Sequence, residues 1–289
     1  MKPKNYAKIA VIGGSGLYQM DSIQNARAVR VKTPFGDPSG PVLLGDLSGV
    51  ACAFLPRHGK GHVLLPGEIN NAANIYALKS LGVERIIAVS AVGSLKEELP
   101  PRRFVFPDQL VDETKGRRST FFGAGVVAHV AFAHPFCDAL SQKIYETAKS
   151  LGISSHRGGT YICMEGPAFS TKAESDYHRK MDYSIIGMTA AQEARLAREA
   201  EICYSVTALV TDYDCWKEGE EVSSREVIEN LTANIASAQK LLSRAVAVAA
   251  GLARECPCPK ALDGAIFTAI AARNPKTAKK LKLLIGKYS

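Results

Sequence analysis

Short, continuous apolar runs alternate along this chain with longer stretches whose apolar residues recur every three or four positions. The run KIAVIG at residues 8–13 ends in glycines and reads as a buried strand; residues 51–55 and 85–90 (RIIAVS) have the same character. Between the last two, residues 66–81 put Ile69, Ala72, Ala73, Tyr76, Ala77 and Leu81 at helical spacing, with Gly82 as a stop. The pattern predicts further strands near 104–111, 159–163, 184–187 and 203–211, and helices over 138–151, 190–200 and 225–253. Strands that alternate with helices argue for an α/β fold: a central mixed, largely parallel β-sheet flanked by helices on both faces. No Pro/Gly/Ser-rich linker divides the chain, so residues 1–255 read as one domain and residues 256–289 as a helical C-terminal extension.

Composition narrows the picture. At 289 residues, 46% hydrophobic and 22% charged, the chain is long enough for a core that needs no staples. No run of 18 uninterrupted apolar residues occurs, so no membrane partner is expected. The N-terminus carries no signal-peptide apolar region, which makes the cytoplasm the expected compartment. The net charge of +8 raises the question of nucleic acid. Apart from the tail at 276–287 the basic residues are dispersed and follow no nucleic-acid motif, so an anionic small molecule is the expected partner instead. Of seven cysteines, Cys52, Cys163 and Cys203 read as small buried hydrophobes. Cys256-Pro257-Cys258 reads either as a labile disulfide or as two thiols in a turn. No Cys-x-x-Cys or His-Glu-x-x-His spacing is present, so no metal is expected.

Ligands of such sheets bind at the carboxyl ends of strands, and five unusual clusters fall there. Gly13-Gly14-Ser15-Gly16 lets backbone N–H groups approach an anion, with Ser15 as an extra donor. It does not continue as a dinucleotide fingerprint or a P-loop, and alone it fits an ordinary turn as well as an anion site. Arg57-His58-Gly59 offers a planar fork of donors beside an imidazole; a surface pair is the plainer reading. Ser90-Ala91-Val92-Gly93-Ser94 suits anion or sugar contacts as well as a plain turn. Gly187-Met188-Thr189 precedes a helix whose N–H groups would face an anion, although Thr189 is also an ordinary N-cap. In Thr211-Asp212-Tyr213-Asp214, continued strand geometry would turn both carboxylates to one side. Such a pair can bind Mg²⁺ or do proton work on a nucleobase. Four of the five clusters can hold an anion, and it is their recurrence that argues for a site.

These residues carry a resemblance. IGGSGL at 12–17, TPFG at 33–36, Arg57-His58-Gly59, ANIYALK at 73–79, AVGSL at 91–95, Asp108-Gln109, Glu165-Gly166-Pro167, Ala173-Glu174-Ser175 and TDYDCWKE at 211–218 are similar to the trimeric purine nucleoside phosphorylase superfamily. Within it, the chain resembles members that act on 5′-methylthioadenosine. The resemblance implies phosphate attack on C1′ of a nucleoside, with inorganic phosphate as co-substrate and neither metal nor organic cofactor. It implies phosphate binding by Ser15, Arg57, His58, Ser90, Ala91 and Thr189. Met188 would lie against the ribose and Phe169 on the purine. Asp212, as the proton donor to N7, and Asp214, as the 6-amino partner, would be the catalytic pair. Val227, Ile228 and His129 of a neighbouring subunit would wall an apolar 5′ pocket, making a homotrimer or a dimer of trimers part of the chemistry. The tail resembles those of thermophilic relatives in which cysteines form disulfides, and Cys137 with Cys203 is a second candidate pair.

The chain departs from the family pattern at Ala168, where Arg is usual, and at Gln192, where Pro is usual. Acids at 212 and 214 favour 6-amino over 6-oxo purines, so a 6-oxopurine or methylthioinosine phosphorylase is the nearest rival. A dinucleotide-dependent oxidoreductase would leave Arg57-His58 without a role, and a non-enzymatic nucleoside binder would show no phosphate-dependent release of base.

Overall fold

The computed structural model describes residues 6–14, 17, 22–218 and 224–288. Its architecture follows from strands that are apolar on both sides. In β1 (Ile9–Gly13), Ile9 and Val11 enter one apolar cluster and Ala10 and Ile12 another. The same alternation splits Cys52 and Phe54 from Ala53 and Leu55 in β4 (Val50–Pro56), and Ile87 and Val89 from Ile86 and Ala88 in β5 (Arg85–Ser94). Successive side chains of a strand point to opposite faces, so both faces need cover. Leu140 and Ile144 of α2 (Asp138–Ser150) and Leu241 and Ala245 of α5 (Ser224–Gly251) close one face. Ala73 and Leu78 of α1 (Asn71–Ser80) and Ala194 and Ala197 of α4 (Ala190–Glu199) close the other.

The described strands form one mixed sheet. Its main path runs β2 (Ile23–Val29), β3 (Val42–Leu47), β4, β1, β5, β10 (Ile185–Gly187), β9 (Thr160–Cys163) and β7 (Gln109–Asp112). β5 is the hub: parallel to β1 and to β11 (Cys203–Asp212), antiparallel to β10. β11 continues to β6 (Phe104–Phe106), and β6 to β8 (Ser155–Arg157). Three parallel strands, β1, β4 and β5, therefore end side by side next to the end of β11.

Several local readings change. The strand expected over 104–111 divides into β6 and β7 around Pro107, which has no N–H for a ladder. The helix expected from 66 begins at Asn71, because Asn70 caps it by accepting from the Ala73 N–H; residues 66–68 form a separate 3₁₀ turn. The edge hairpin β2–β3 and the polar helix α3 (Lys172–Lys180), capped by Thr171 and Glu174, have too little apolar periodicity to be predicted. The C-terminal extension is helical over α6 (Pro275–Ile285), with only single 3₁₀ turns before and after it. It folds back onto buried Glu201, whose carboxylate takes the Tyr288 hydroxyl at 2.5 Å and the Lys287 ammonium at 2.7 Å. None of the described helices is long and apolar enough to cross a membrane.

Candidate active site

A cavity of about 440 Å³ opens where these strands end. Gly14 after β1, Arg57 and His58 after β4, and Ser90 to Gly93 within β5 line it, together with Met188 and Thr189 after β10 and Asp212 and Asp214 at the end of β11. Phe169 and Val227 complete the expected set that lies here. Ser15 lies outside the described residues. His129 is exposed and does not line the cavity of its own chain; its ring meets Phe267 edge-on at 5.0 Å.

Arg57 is 3% exposed and belongs to the core of the site. Glu193, fully buried on α4, takes Nε at 2.5 Å and Nη2 at 3.1 Å, while the Val89 carbonyl takes Nη1 at 2.9 Å. The bidentate fork fixes the guanidinium plane, and Glu193 compensates its charge. Glu193 is itself held by the Tyr204 hydroxyl at 2.8 Å. His58 Nδ1 lies 2.9 Å from the Leu64 carbonyl, which can only accept, so Nδ1 carries the proton and Nε2 is left as an acceptor. Burial drives the His58 pKa down to about 4, with the Arg57 charge and the stacked His62 ring adding to the effect. At neutral pH its imidazole is therefore uncharged.

Thr189 occupies the N-cap position of α4, yet its side chain makes no cap hydrogen bond. Its Oγ1 lies 3.4 Å from Ser90 Oγ instead, and both residues line the cavity. The positive end of the α4 dipole therefore meets two hydroxyls and the Arg57 edge. The preceding turn is packed tightly. A Cβ at Gly187 would sit 2.0 Å from the Tyr161 hydroxyl, and one at Gly166 2.4 Å from Met188 Sδ. Arg117 donates to the Met188 carbonyl at 2.6 Å and to Glu165 Oε1 at 3.0 Å, so a cation clamps the backbone of this turn.

The acid pair converges through a turn and not through strand geometry. β11 has a register irregularity before Asp212 and ends there; Asp214 adopts φ 52° and returns its N–H to Asp212 Oδ1 at 2.8 Å. Asp212 Oδ2 lies 2.7 Å from Thr211 Oγ1, which is also 3.2 Å from the Val92 carbonyl. Asp214 is 4% exposed and its Oδ2 is buried without a hydrogen-bond partner. Gly93 packs beneath both acids: a Cβ there would lie 2.8 Å from Asp212 Oδ1 and 3.4 Å from Asp214 Cβ. Asn230 of α5 donates to the Thr211 carbonyl at 2.7 Å and holds the helix over the cavity.

The comparisons accord with this geometry. The family model described as "Phosphorylase superfamily" matches residues 8–247. An S-methyl-5′-thioadenosine phosphorylase of Geobacter sulfurreducens is 54% identical over 97% of this chain and 98% of its own. One from Koribacter versatilis is 52% identical over 98% and 97%. A methylthioadenosine phosphorylase from an antarctic soil metagenomic library superposes with TM-score 0.93 at 49% identity, covering 97% and 99% of the two chains. A mutant adenosine/methylthioadenosine phosphorylase from Schistosoma mansoni, solved in complex with methylthioadenosine, gives TM-score 0.83 at 34% identity over 93% and 99%. The chain belongs to the phosphorylase superfamily.

In this superfamily member, most of the site residues named from the sequence line the cavity of the chain, and α5 adds others. Val227, Leu231 and Ile235 recur every four residues and face the cavity, whereas Ile228 is 61% exposed and does not line it. Neighbours on a helix are about 100° apart, so with Val227 turned into the cavity Ile228 points to the surface of its own chain. Leu231 and Ile235 were legible from that same spacing. Glu193 and Arg117 were not, because neither lies at a strand end near its partner in sequence.

Proposed function

We propose that the protein cleaves 5′-methylthioadenosine with phosphate to adenine and 5-methylthioribose 1-phosphate. One observation carries this reading: a single cavity is lined both by an anion cradle (Arg57, Ser90, Thr189 and the start of α4) and by the acids Asp212 and Asp214. Phosphate oxygen attacks C1′ as the C1′–N9 bond breaks and its electron pair passes to the purine. The negative phosphate stabilises the oxocarbenium-like sugar, and protonation at N7 lets the base depart. His58, neutral with Nε2 as an acceptor, takes the hydroxyl hydrogen of monohydrogen phosphate. Ala91 adds a wall beside Ser90, and Ser15 a further hydroxyl.

The proton for N7 comes from Asp212. Thr211 has one hydroxyl hydrogen and two acceptors in reach, the Val92 carbonyl and Asp212 Oδ2. A protonated Asp212 satisfies both contacts, with Thr211 donating to Val92 and Asp212 donating to Thr211 until substrate arrives. The unpartnered Asp214 Oδ2 then suits a donor such as the 6-amino group. Val227 and Leu231 provide apolar surface for a methylthio group, and Phe169 for the purine face. The assembly is a trimer, simple or doubled, in which a neighbour's His129 closes the 5′ end. Exposed Val127 and Phe267 beside His129 support such a contact. Phosphate is the only co-substrate, no metal or organic cofactor takes part in the reaction, and the setting is cytoplasmic.

The test is adenine release from methylthioadenosine with and without phosphate, beside inosine. Rapid, phosphate-dependent release of adenine is expected; release without phosphate, or faster turnover of inosine, would overturn the assignment.

A further inference from the structure

Four of the seven cysteines meet at one point far from the cavity. The sulfurs of Cys137, Cys203, Cys256 and Cys258 all lie within 4.8 Å of one another, with Cys203 and Cys256 3.4 Å apart. Cys137, Cys203 and Cys258 are buried and Cys256 is half-buried. They come from three segments. Cys137 is the N-cap of α2, its side chain making no cap bond and its N–H donating to the Tyr204 carbonyl at 2.8 Å. Cys203 opens β11. Cys256 and Cys258 flank Pro257, held in a helical-turn conformation. Thiolate sulfurs around a tetrahedral zinc ion at about 2.3 Å stand about 3.8 Å apart, which falls between the separations seen here. Mutual approach of all four is the geometry of a common centre; two separate sulfur pairs would need no approach between pairs.

We propose that Cys137, Cys203, Cys256 and Cys258 form a four-thiolate site for one structural zinc ion. The ion would take the place of four thiol hydrogens, released as protons on binding. The site is structural because its ligands are all protein sulfurs, leaving no open position. It also lies at the opposite end of β11 from Asp212, about 30 Å away at the usual rise of a strand. Its position gives it a task. It joins the end of the main domain to the C-terminal extension, which then bonds the His129 N–H to the Ala265 carbonyl at 2.9 Å and sets Phe267 against the His129 ring. A spacing search in the sequence could not find it, since only Cys256 and Cys258 are neighbours there.

The experiment uses the full chain, purified in reductant without chelator. Elemental analysis is expected to show about one zinc per chain, and stripping the metal to raise the number of thiols open to a thiol reagent by up to four. Cobalt(II) added to the stripped, reduced protein is expected to develop the visible bands of tetrahedral thiolate cobalt, saturating at one equivalent. Cys258→Ser should lose the metal and Cys52→Ser should keep it. Should Cys258→Ser not fold, the cobalt titration of the parent chain still decides. Protein without metal whose stripped form gives no thiolate cobalt bands overturns the site. So does a freshly isolated chain whose four sulfurs are found as two disulfides.

Discussion

The two ends of the cavity are built differently. At the proposed phosphate end, Arg57, Glu193 and Tyr204 are all at least nine-tenths buried and joined through hydrogen bonds from β5, α4 and β11, with buried Thr189 beside Ser90. At the proposed nucleoside end, Phe169 is 46% exposed and Val227 half-buried, both on segments that reach the cavity from outside the sheet. The contrast teaches how the site divides its labour. The charged partner meets donors fixed before it arrives, which lowers reorganisation at the moment of reaction. The apolar group would meet a rim that is partly open in the single chain.

Breaking the buried end should have the largest effect. Arg57→Ala is expected to lower kcat/KM by about 10²–10³, and to destabilise the fold by about 3–5 kcal/mol because Glu193 is left buried and unpaired. Phosphate saturation kinetics and denaturant unfolding read the two effects. Adding Glu193→Gln should return stability but not activity, and an unchanged unfolding midpoint in Arg57→Ala would remove the contrast between the two ends. Asp212→Asn should cost about 10²-fold on methylthioadenosine, in the range of a lost proton donor, and clearly less on inosine. Equal losses would refute its role at N7. Phe169→Ala should raise KM for nucleoside about tenfold, or about 1.4 kcal/mol, with KM for phosphate unchanged. A matching rise for phosphate would show that the two ends are not separable.

A smaller effect concerns pH. With its pKa lowered from 6.5 to about 4, His58 is neutral in the fold, and the unfolded chain takes up its proton first as pH falls. The stability it contributes is whole above pH 6.5 and is lost progressively between 6.5 and about 4. Unfolding midpoints measured at several pH values across that window should fall less steeply in His58→Gln than in the parent; parallel slopes would show that other groups dominate. The smallest effect is expected at Ile228→Ala, within about 0.5 kcal/mol as for other exposed positions, whereas Leu231→Ala should weaken nucleoside binding measurably. A large loss at Ile228 would mean that a neighbouring subunit covers it.

Much of this was legible in the chain. Runs such as KIAVIG can be buried on both sides only in a sheet covered twice, and glycines and small hydroxyl residues at their ends mark where a ligand can approach backbone. These are local properties, set by side-chain volume, backbone freedom and a period of two or of 3.6, and they determine the fold class and the strand-end clusters. Tertiary structure alone decided the rest. Arg57 and Glu193 are 136 residues apart in sequence, Asp214 joins Asp212 by a left-handed turn, and four sulfurs from three segments reach one point. Such partnerships depend on which strand lies beside which, and sheet order is set by the packing of the whole chain, which no local spacing encodes.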